Sequence, residues 1–435
     1  MIMAEGFIFN HNNCVACGAC SAACVLENKW TISPRTVYTY NSPVLPAFPV
    51  LNLSLACSHC KTALCLEGCP SSAYYRETVT GAVVIDDTKC IGCRYCQWNC
   101  PYDAPKYSPE DRVIGKCNLC YLRVKDGWMP ACSTACPTGA LAYGSLIRQE
   151  ASERVAWFPD KGLEPFVELK GSSRSPLRII PESRFDPEPD LILKKAALID
   201  KEWSLIAFSF LTALSVARLI SSLVEGNFPD PLQFLLLIVF AALFSLLHLG
   251  KKNRAWRAAL NLRSSPLSRE IGLFILYSVS AVSILLYQLP VLLIVTSVTG
   301  LFLLIAVDAV YIFADNRKAV FLHSGQTFLS ALLMVSFFTG IILPFIFIAT
   351  IRLTASVWRL KSDRTEHLKF VMRFFRCALL IISGISMITK ISYPETGVII
   401  LFLSGELLDR MLFYIDFKPL NINRLINNQI IEAEK

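Results

Sequence analysis

Long apolar runs begin only near Trp203. Downstream of it they cover Trp203–Val224, Leu232–Leu249, Ile271–Tyr287, Pro290–Phe313, Lys369–Ile388 and Gly397–Phe417. Each is close to the ~20 helical residues that cross a hydrocarbon core. A further window, Gln326–Trp358, is too long for one ordinary span and barely enough for two, with Pro344 near its centre. Charge parity decides between the two. The basic loops are Lys251–Arg269 (Lys251, Lys252, Arg254, Arg257, Arg263, Arg269), Asp315–His323 (Arg317, Lys318) and Arg359–Lys369, and the tail adds Lys418 and Arg424. Two helices in the long window put all of these on one membrane face. The positive-inside rule therefore predicts eight spans, entered by the preceding domain from the basic face.

The chain has 435 residues, which sets a prior of two domains. A net charge of +8 would suit a nucleic-acid binder, but the basic residues of the second half flank the apolar runs and are absorbed by topology. The opening MIMAEGFIFN has neither a charged n-region nor an apolar h-region, so export of a folded chain would need a partner's signal.

Sixteen of the 17 cysteines lie between Cys14 and Cys136. They form four runs: Cys14, Cys17, Cys20, Cys24; Cys57, Cys60, Cys65, Cys69; Cys90, Cys93, Cys96, Cys100; and Cys117, Cys120, Cys132, Cys136. The first and third have the spacing C-x2-C-x2-C-x3-C of bacterial ferredoxins, in which three thiolates wrap one face of a cubane and the fourth reaches a second cluster. Proline follows the fourth cysteine at Pro70, Pro101 and Pro137, where a helix start needs no N–H. Disulfides suit small secreted frameworks. Zinc prefers paired CxxC or histidine ligands. Four [4Fe–4S] clusters is the simple count. With the crossover rule and nested pairing, the expected ligand sets are Cys57, Cys60, Cys65, Cys100; Cys69, Cys90, Cys93, Cys96; Cys14, Cys17, Cys20, Cys136; and Cys24, Cys117, Cys120, Cys132.

The segments ACSHCKTALCLEGCP, CIGCRYCQWNCPYDAPKY and KCNLCYLRVKDGWMPACSTACP resemble the four-cluster subunit of dimethyl sulfoxide reductase-type molybdoenzymes, over about residues 5–145. Some relatives carry tryptophan for one cysteine of the fourth run and hold a three-iron cluster there; here all four cysteines are present, and Trp98 is read as packing. Between Gly144 and Ile199 the prolines Pro159, Pro165, Pro176, Pro181, Pro187 and Pro189 argue against long regular elements, giving a linker or a strap over the cluster domain. HLGKKNRAWRAALNLRSSPLSRE, from His248 to Glu270, and GELLDRMLFY, from Gly405, resemble the eight-helix quinol-oxidising anchor of the same complexes.

The expected fold is an α+β double bacterial-ferredoxin-like domain followed by an all-α membrane bundle of about eight transmembrane helices. The expected divisions are 1–145 (four-cluster domain), 146–200 (strap or linker), 201–420 (quinol-oxidising anchor) and 421–435 (tail). The resemblance implies a fused cluster subunit and anchor that oxidises menaquinol or another quinol and feeds a separate molybdopterin catalytic subunit. The same wiring in reverse would reduce quinone, and a redox-coupled proton pump or a tethered ferredoxin are further classes. Quinol oxidation needs a proton acceptor near a cluster. His248 could accept a hydrogen bond from the quinol and Glu270 could relay the proton, against the plain readings of an interfacial histidine and a first-turn acid. Among the other intramembrane polar residues, Glu406 and Arg410 are one turn apart and are read as a pair beside Asp409. Asp308 serves a proton path or a hydrogen bond, Arg373 and Arg376 snorkel, and Cys377 is a small hydrophobe. The expected location is the cytoplasmic (inner) membrane. Loop charge puts the cluster domain in the cytoplasm, and export beside a twin-arginine partner would put it in the periplasm.

Overall fold

The computed structural model describes residues 5–40, 50–146, 162–171, 191–315, 323, 325–362, 367–389, 395–417, 419, 422 and 425–426. The expectations placed on Arg317, Lys318, Lys418, Arg424 and most of the proline-rich stretch lie outside these residues. The chain forms two compact units: Met1–Glu188 with Asn253–Ser265 and Pro419–Lys435, and Pro189–Lys252 with Pro266–Lys418.

The first unit is a small α+β assembly of short elements. Strand β1 (Glu5–Asn10) pairs antiparallel with β8 (Leu141–Ser145) and parallel with β9 (Val167–Lys170), so the ends of the cysteine-rich stretch meet in one sheet. Three two-stranded ribbons follow the same antiparallel logic: β2 (Thr36–Tyr40) with β3 (Leu51–Leu55), β4 (Tyr74–Arg76) with β5 (Val83–Ile85), and β6 (Lys106–Ser108) with β7 (Val113–Gly115). Phe7 and Phe9, two apart on β1, point inward to a core that holds Leu51, Leu53 and Leu141 and takes in Ile422 and Ile426 from the tail. The helices are brief: α1 (Ala19–Asn28), α2 (Leu64–Glu67), α3 (Tyr95–Asn99), α4 (Tyr121–Lys125) and α5 (Ala131–Thr134). The segment around β9 is tied down by backbone bonds from Lys61 N–H to Glu164, Thr62 N–H to Leu163 and Phe166 N–H to Ser58, with Leu163 buried.

The second unit is helical. Its described helices are α6 (Leu191–Glu225), α7 (Pro231–Leu247), α8 (Pro266–Tyr287), α9 (Pro290–Asp315), α10 (Thr327–Phe338), α11 (Ile342–Ser362), α12 (His367–Thr389) and α13 (Glu395–Asp416). The long window is indeed two helices. The chain breaks at Gly340 (φ 68°), and Pro344 lies in the first turn of α11, where its missing N–H has no helical partner to lose. Five of the helices are long and apolar enough to cross a membrane, or six if a bent pair is counted as one span. Eight spans are therefore not established. With 12 residues, α10 reaches roughly 18 Å against a core of about 30 Å, and α13 carries several charges. The unit is polar inside and greasy outside. Ser209, Thr212, Ser215 and several charged residues are buried, while Leu343, Phe347 and Leu286 are exposed. That inversion suits a lipid surrounding.

Candidate functional site

Each cysteine run starts on a loop with one repeated kink. The residue two places after the first cysteine has positive φ in all four: Ala16 (54°), His59 (46°), Gly92 (69°) and Leu119 (61°). Only glycine takes this conformation without steric cost, yet three of the four are not glycine. The kink turns that residue's N–H back onto the sulfur. His59 N–H bonds Cys57 Sγ and Leu119 N–H bonds Cys117 Sγ, both at 3.4 Å, and the Ala16 and Gly92 amides hydrogen-bond Cys14 and Cys90 in the same way. Past the kink, short helices carry some of the later cysteines: α1 holds Cys20 and Cys24, α2 holds Cys65, α3 holds Cys96, and in the fourth run α5, which follows the cysteine-free α4, holds Cys132. Backbone amides also bond Cys69 (from Ala73) and Cys136 (from Leu141), each at 3.4 Å.

The cysteines gather in fours. Cys17, Cys20 and Cys136 are the charged neighbours of Cys14. Those of Cys24 include Cys117, Cys120 and Cys132. Cys57, Cys65 and Cys100 surround Cys60, and Cys69, Cys90 and Cys93 surround Cys96. Cys57, Cys60, Cys65 and Cys100 line one pocket together with Lys116. All sixteen are free of disulfides.

These thiols sit badly as thiols. Burial pushes Cys60, Cys65 and Cys93 far above the usual thiol range and Cys100 up to about 11. Cys57 behaves in the opposite sense: burial opposes its charge, but the adjacent His59 and Lys116 draw it down to about 5. Soft thiolates in fours are the donor set of an iron–sulfur cluster. A second observation points the same way. Among the described residues, the buried donor atoms without a regular hydrogen-bond partner include Arg35 Nε and Nη2, His59 Nε2 and Tyr74 Oη. The three side chains face cysteine sulfur: Arg35 that of Cys132, His59 that of Cys57 and Cys117, and Tyr74 that of Cys96. Donors aimed into rings of sulfur fit bound clusters. Arg35, Tyr74, His59 and Lys116 are not among the residues expected from the sequence; the last two lie inside or next to a run, while nothing in TISPRTVYTY marks Arg35. Trp98 packs edge-on to Tyr95, as read.

The segment Asn253–Ser265, which in sequence separates α7 from α8, belongs to the first unit. Arg254 donates to the carbonyls of Asp87 (2.7 Å) and Cys90 (3.1 Å). Asn261 donates to those of Glu67 and Cys69, Ser264 to Glu67, and Ser265 to Gly68. This stretch is thus laid on the backbone around Cys69 and Cys90.

In the second unit, His248 caps α7, half-buried. Glu270 is buried in α8, and its charged neighbours are Arg410 and Asp308. Asp308 accepts the N–H groups of Thr327 (2.9 Å) and Phe328 (3.0 Å) at the start of α10 and lies 3.9 Å from Arg410. Arg410 donates to Ser209 Oγ (2.8 Å) and the Gly325 carbonyl (2.9 Å) and sits over the ring of Phe413. A methyl added at Gly325 would meet the Asp409 carbonyl at 2.6 Å, so the close approach demands glycine.

The partner of Glu406 is Arg352 (2.7 Å), not Arg410, and Arg352 also holds Asp409 (2.6 Å). Arg376 and Arg373 do not snorkel: both are fully buried, paired with Asp409 (2.9 Å) and Asp416 (2.7 Å). Carboxylates of α13 within reach replace the water that snorkelling would have sought. Asp416, at the unfavourable C-terminal end of its helix, also meets Lys369, Arg359 and His323. A lone arginine in the apolar stretch of α11 was a legible sign of such a network.

Four loops that point amide hydrogens at rings of cysteine sulfur define an iron–sulfur electron-transfer protein joined to a helical unit suited to a membrane. Residues 49–146 match the 4Fe-4S dicluster domain family. A chain of the anaerobic dimethyl sulfoxide reductase of Escherichia coli K12 is 36% identical over 166 residues, covering 35% of this chain and 80% of that protein. A sulfite dehydrogenase subunit of Allochromatium vinosum is 28% identical over 206 residues, 40% of this chain and 86% of that protein. The formate dehydrogenase iron-sulfur subunit of Haemophilus influenzae is 33% identical over 174 residues, 35% and 56% respectively. The chain belongs to the family of iron–sulfur electron-transfer subunits that includes this dimethyl sulfoxide reductase chain.

Proposed function

We propose that this chain is both the electron conduit and the membrane anchor of a respiratory reductase. Quinol, menaquinol in the leading case, is oxidised beside His248 and Glu270, and electrons reach a separate molybdopterin subunit through four [4Fe–4S] clusters. The observation that carries this is the gathering of sixteen cysteines into four rings of four. It supports the ligand sets Cys57/Cys60/Cys65/Cys100, Cys69/Cys90/Cys93/Cys96, Cys14/Cys17/Cys20/Cys136 and Cys24/Cys117/Cys120/Cys132. A [4Fe–4S] cluster, when bound, takes up and gives back one electron at a time.

The protein's part is to hold sulfur, direct donors at it, and move protons at the quinol. His248 accepts a hydrogen bond from the quinol hydroxyl, and Glu270 takes the proton onward. Asn253–Ser265 begins five residues after His248 and ends five before Glu270, and it rests on the Cys69/Cys90 backbone. We therefore take that ring as the point of electron entry. The reverse direction, quinone reduction by a donor-oxidising partner, has a specific support in the similarity to a formate dehydrogenase subunit. A proton pump loses its footing, because Asp308 and Glu406 have structural duties at the start of α10 and on Arg352. Eight spans in the cytoplasmic membrane complete the proposal, with the cluster unit cytoplasmic by loop charge or periplasmic if exported beside a twin-arginine partner.

Iron analysis of anaerobically purified protein should find about sixteen irons per chain by this ligand count, and appreciably fewer would overturn it. Cys136→Ser should remove or alter one EPR signal of four. His248→Ala should abolish quinol-driven cluster reduction while leaving dithionite reduction intact, and retained quinol oxidation would dismiss His248.

A further inference from the structure

The cysteine rings do not stand apart; buried side chains occupy the joints between them. Arg35 is 2% exposed. Its charged neighbours are Cys132, Cys117 and Cys24 of one ring and Cys20 of another. Its Nη1 donates to Ser54 Oγ at 3.1 Å, and that hydroxyl lies 3.3 Å from Cys20 Sγ. Lys116, 1% exposed, spans the next joint. Its ammonium bonds Cys57 Sγ at 3.2 Å and the carbonyls of Cys117 (2.9 Å) and Val83, which occupies all three of its protons. His59 backs it. Its Nδ1 accepts the Val83 N–H at 3.0 Å, which leaves Nε2 as the donor toward Cys57 and Cys117. At the third joint stands a neutral phenol, Tyr74, with Cys96 and Cys69 on one side and Cys65 on the other.

A buried guanidinium or ammonium is costly unless an opposite charge lies beside it. Among the described residues neither Arg35 nor Lys116 forms an ion pair with a carboxylate. Among the described residues, what lies beside them is cysteine sulfur, which carries negative charge as the thiolate of a bound cluster.

We infer that Arg35 and Lys116 are the electrostatic couplers of this wire, each shared by two consecutive cluster sites and each raising the reduction potential of both. The inference rests on the ligand sets proposed above. It makes the order of sites Cys14 ring, Arg35, Cys24 ring, Lys116, Cys57 ring, Tyr74, Cys69 ring. Two cations flank the Cys24 ring, whereas neither coupler touches the Cys69 ring. A positive charge fixed near a cluster in a low-dielectric interior favours its reduced form.

The test is a potentiometric EPR titration of the full-length chain with iron analysis, on wild type, Arg35→Gln, Arg35→Lys, Lys116→Gln and Lys116→Arg. Arg35→Gln should lower the midpoints of the Cys14 and Cys24 sites, and Lys116→Gln those of the Cys24 and Cys57 sites. The Cys24 site should respond to both, the Cys69 site to neither, and the charge-conserving variants should return toward wild type. If a glutamine variant loses iron while its charge-conserving counterpart keeps it, that too supports the couplers. Full iron with unmoved midpoints would overturn the inference, and so would charge-conserving variants as impaired as the glutamine ones. A wild-type chain without four clusters would instead sink the ligand assignment itself.

Discussion

Both units bury cations, and they neutralise them by opposite means. In the helical unit Arg352 lies against Glu406 and Asp409, and Arg376 shares Asp409. The counter-charge is part of the polypeptide. In the cysteine unit Arg35 and Lys116 have no such carboxylates among the described residues, and their surroundings are sulfur. A membrane segment must balance its charges when it leaves water, before anything else binds. A cluster domain can leave the balance open, because a bound group closes it. The helical unit thus carries counter-charges for its buried cations in its own sequence, whereas the cysteine unit sets its buried cations against sulfur.

The largest effect should come from stripping iron anaerobically with a chelator. The cysteine unit should lose its cooperative transition, because each uncompensated buried ion costs several kcal/mol. Limited proteolysis should then cut residues 5–146 readily while the helices stay protected; equal protection with and without iron would break the comparison. Next is Arg352→Met, which leaves Glu406 and half of Asp409's partnership unbalanced, at an expected cost of about 3–5 kcal/mol in detergent unfolding curves. Adding Glu406→Gln should recover more than half of that loss, since Arg376 and Asp409 still balance. Asp308→Ala should cost about 1–2 kcal/mol, the usual worth of a helix cap, through the freed Thr327 and Phe328 amides. Smallest is Glu164→Gln, which removes the partly exposed ion pair with Lys61 and should move the melting midpoint by less than about 0.5 kcal/mol equivalent.

How much was legible varies with the kind of information. Cysteine spacing is a local property of a loop, so the four runs stood out at once. Apolar length is local too, and it marked most of the helices as well as the split of the long window. Span count was less legible, because α13 mixes Glu406, Asp409 and Arg410 into an apolar run and α10 is short. Glu406 and Arg410, one turn apart, invited a local pair; the better partner of Glu406 came from α11, 54 positions away in sequence. Arg373 and Arg376 looked like end-of-span residues for the same reason: nothing adjacent along the sequence announces Asp416 or Asp409.

Taken by itself, the order of residues determined the iron–sulfur character, the break between a cysteine unit and a helical unit, and the loops that carry the cysteines, since each depends on neighbours a few positions apart. Tertiary structure alone decided what lies between the rings and what balances each buried charge. Those depend on side chains brought together from distant segments, Arg35 to Cys132 and Lys116 to Cys57, where proximity in space owes nothing to proximity along the chain.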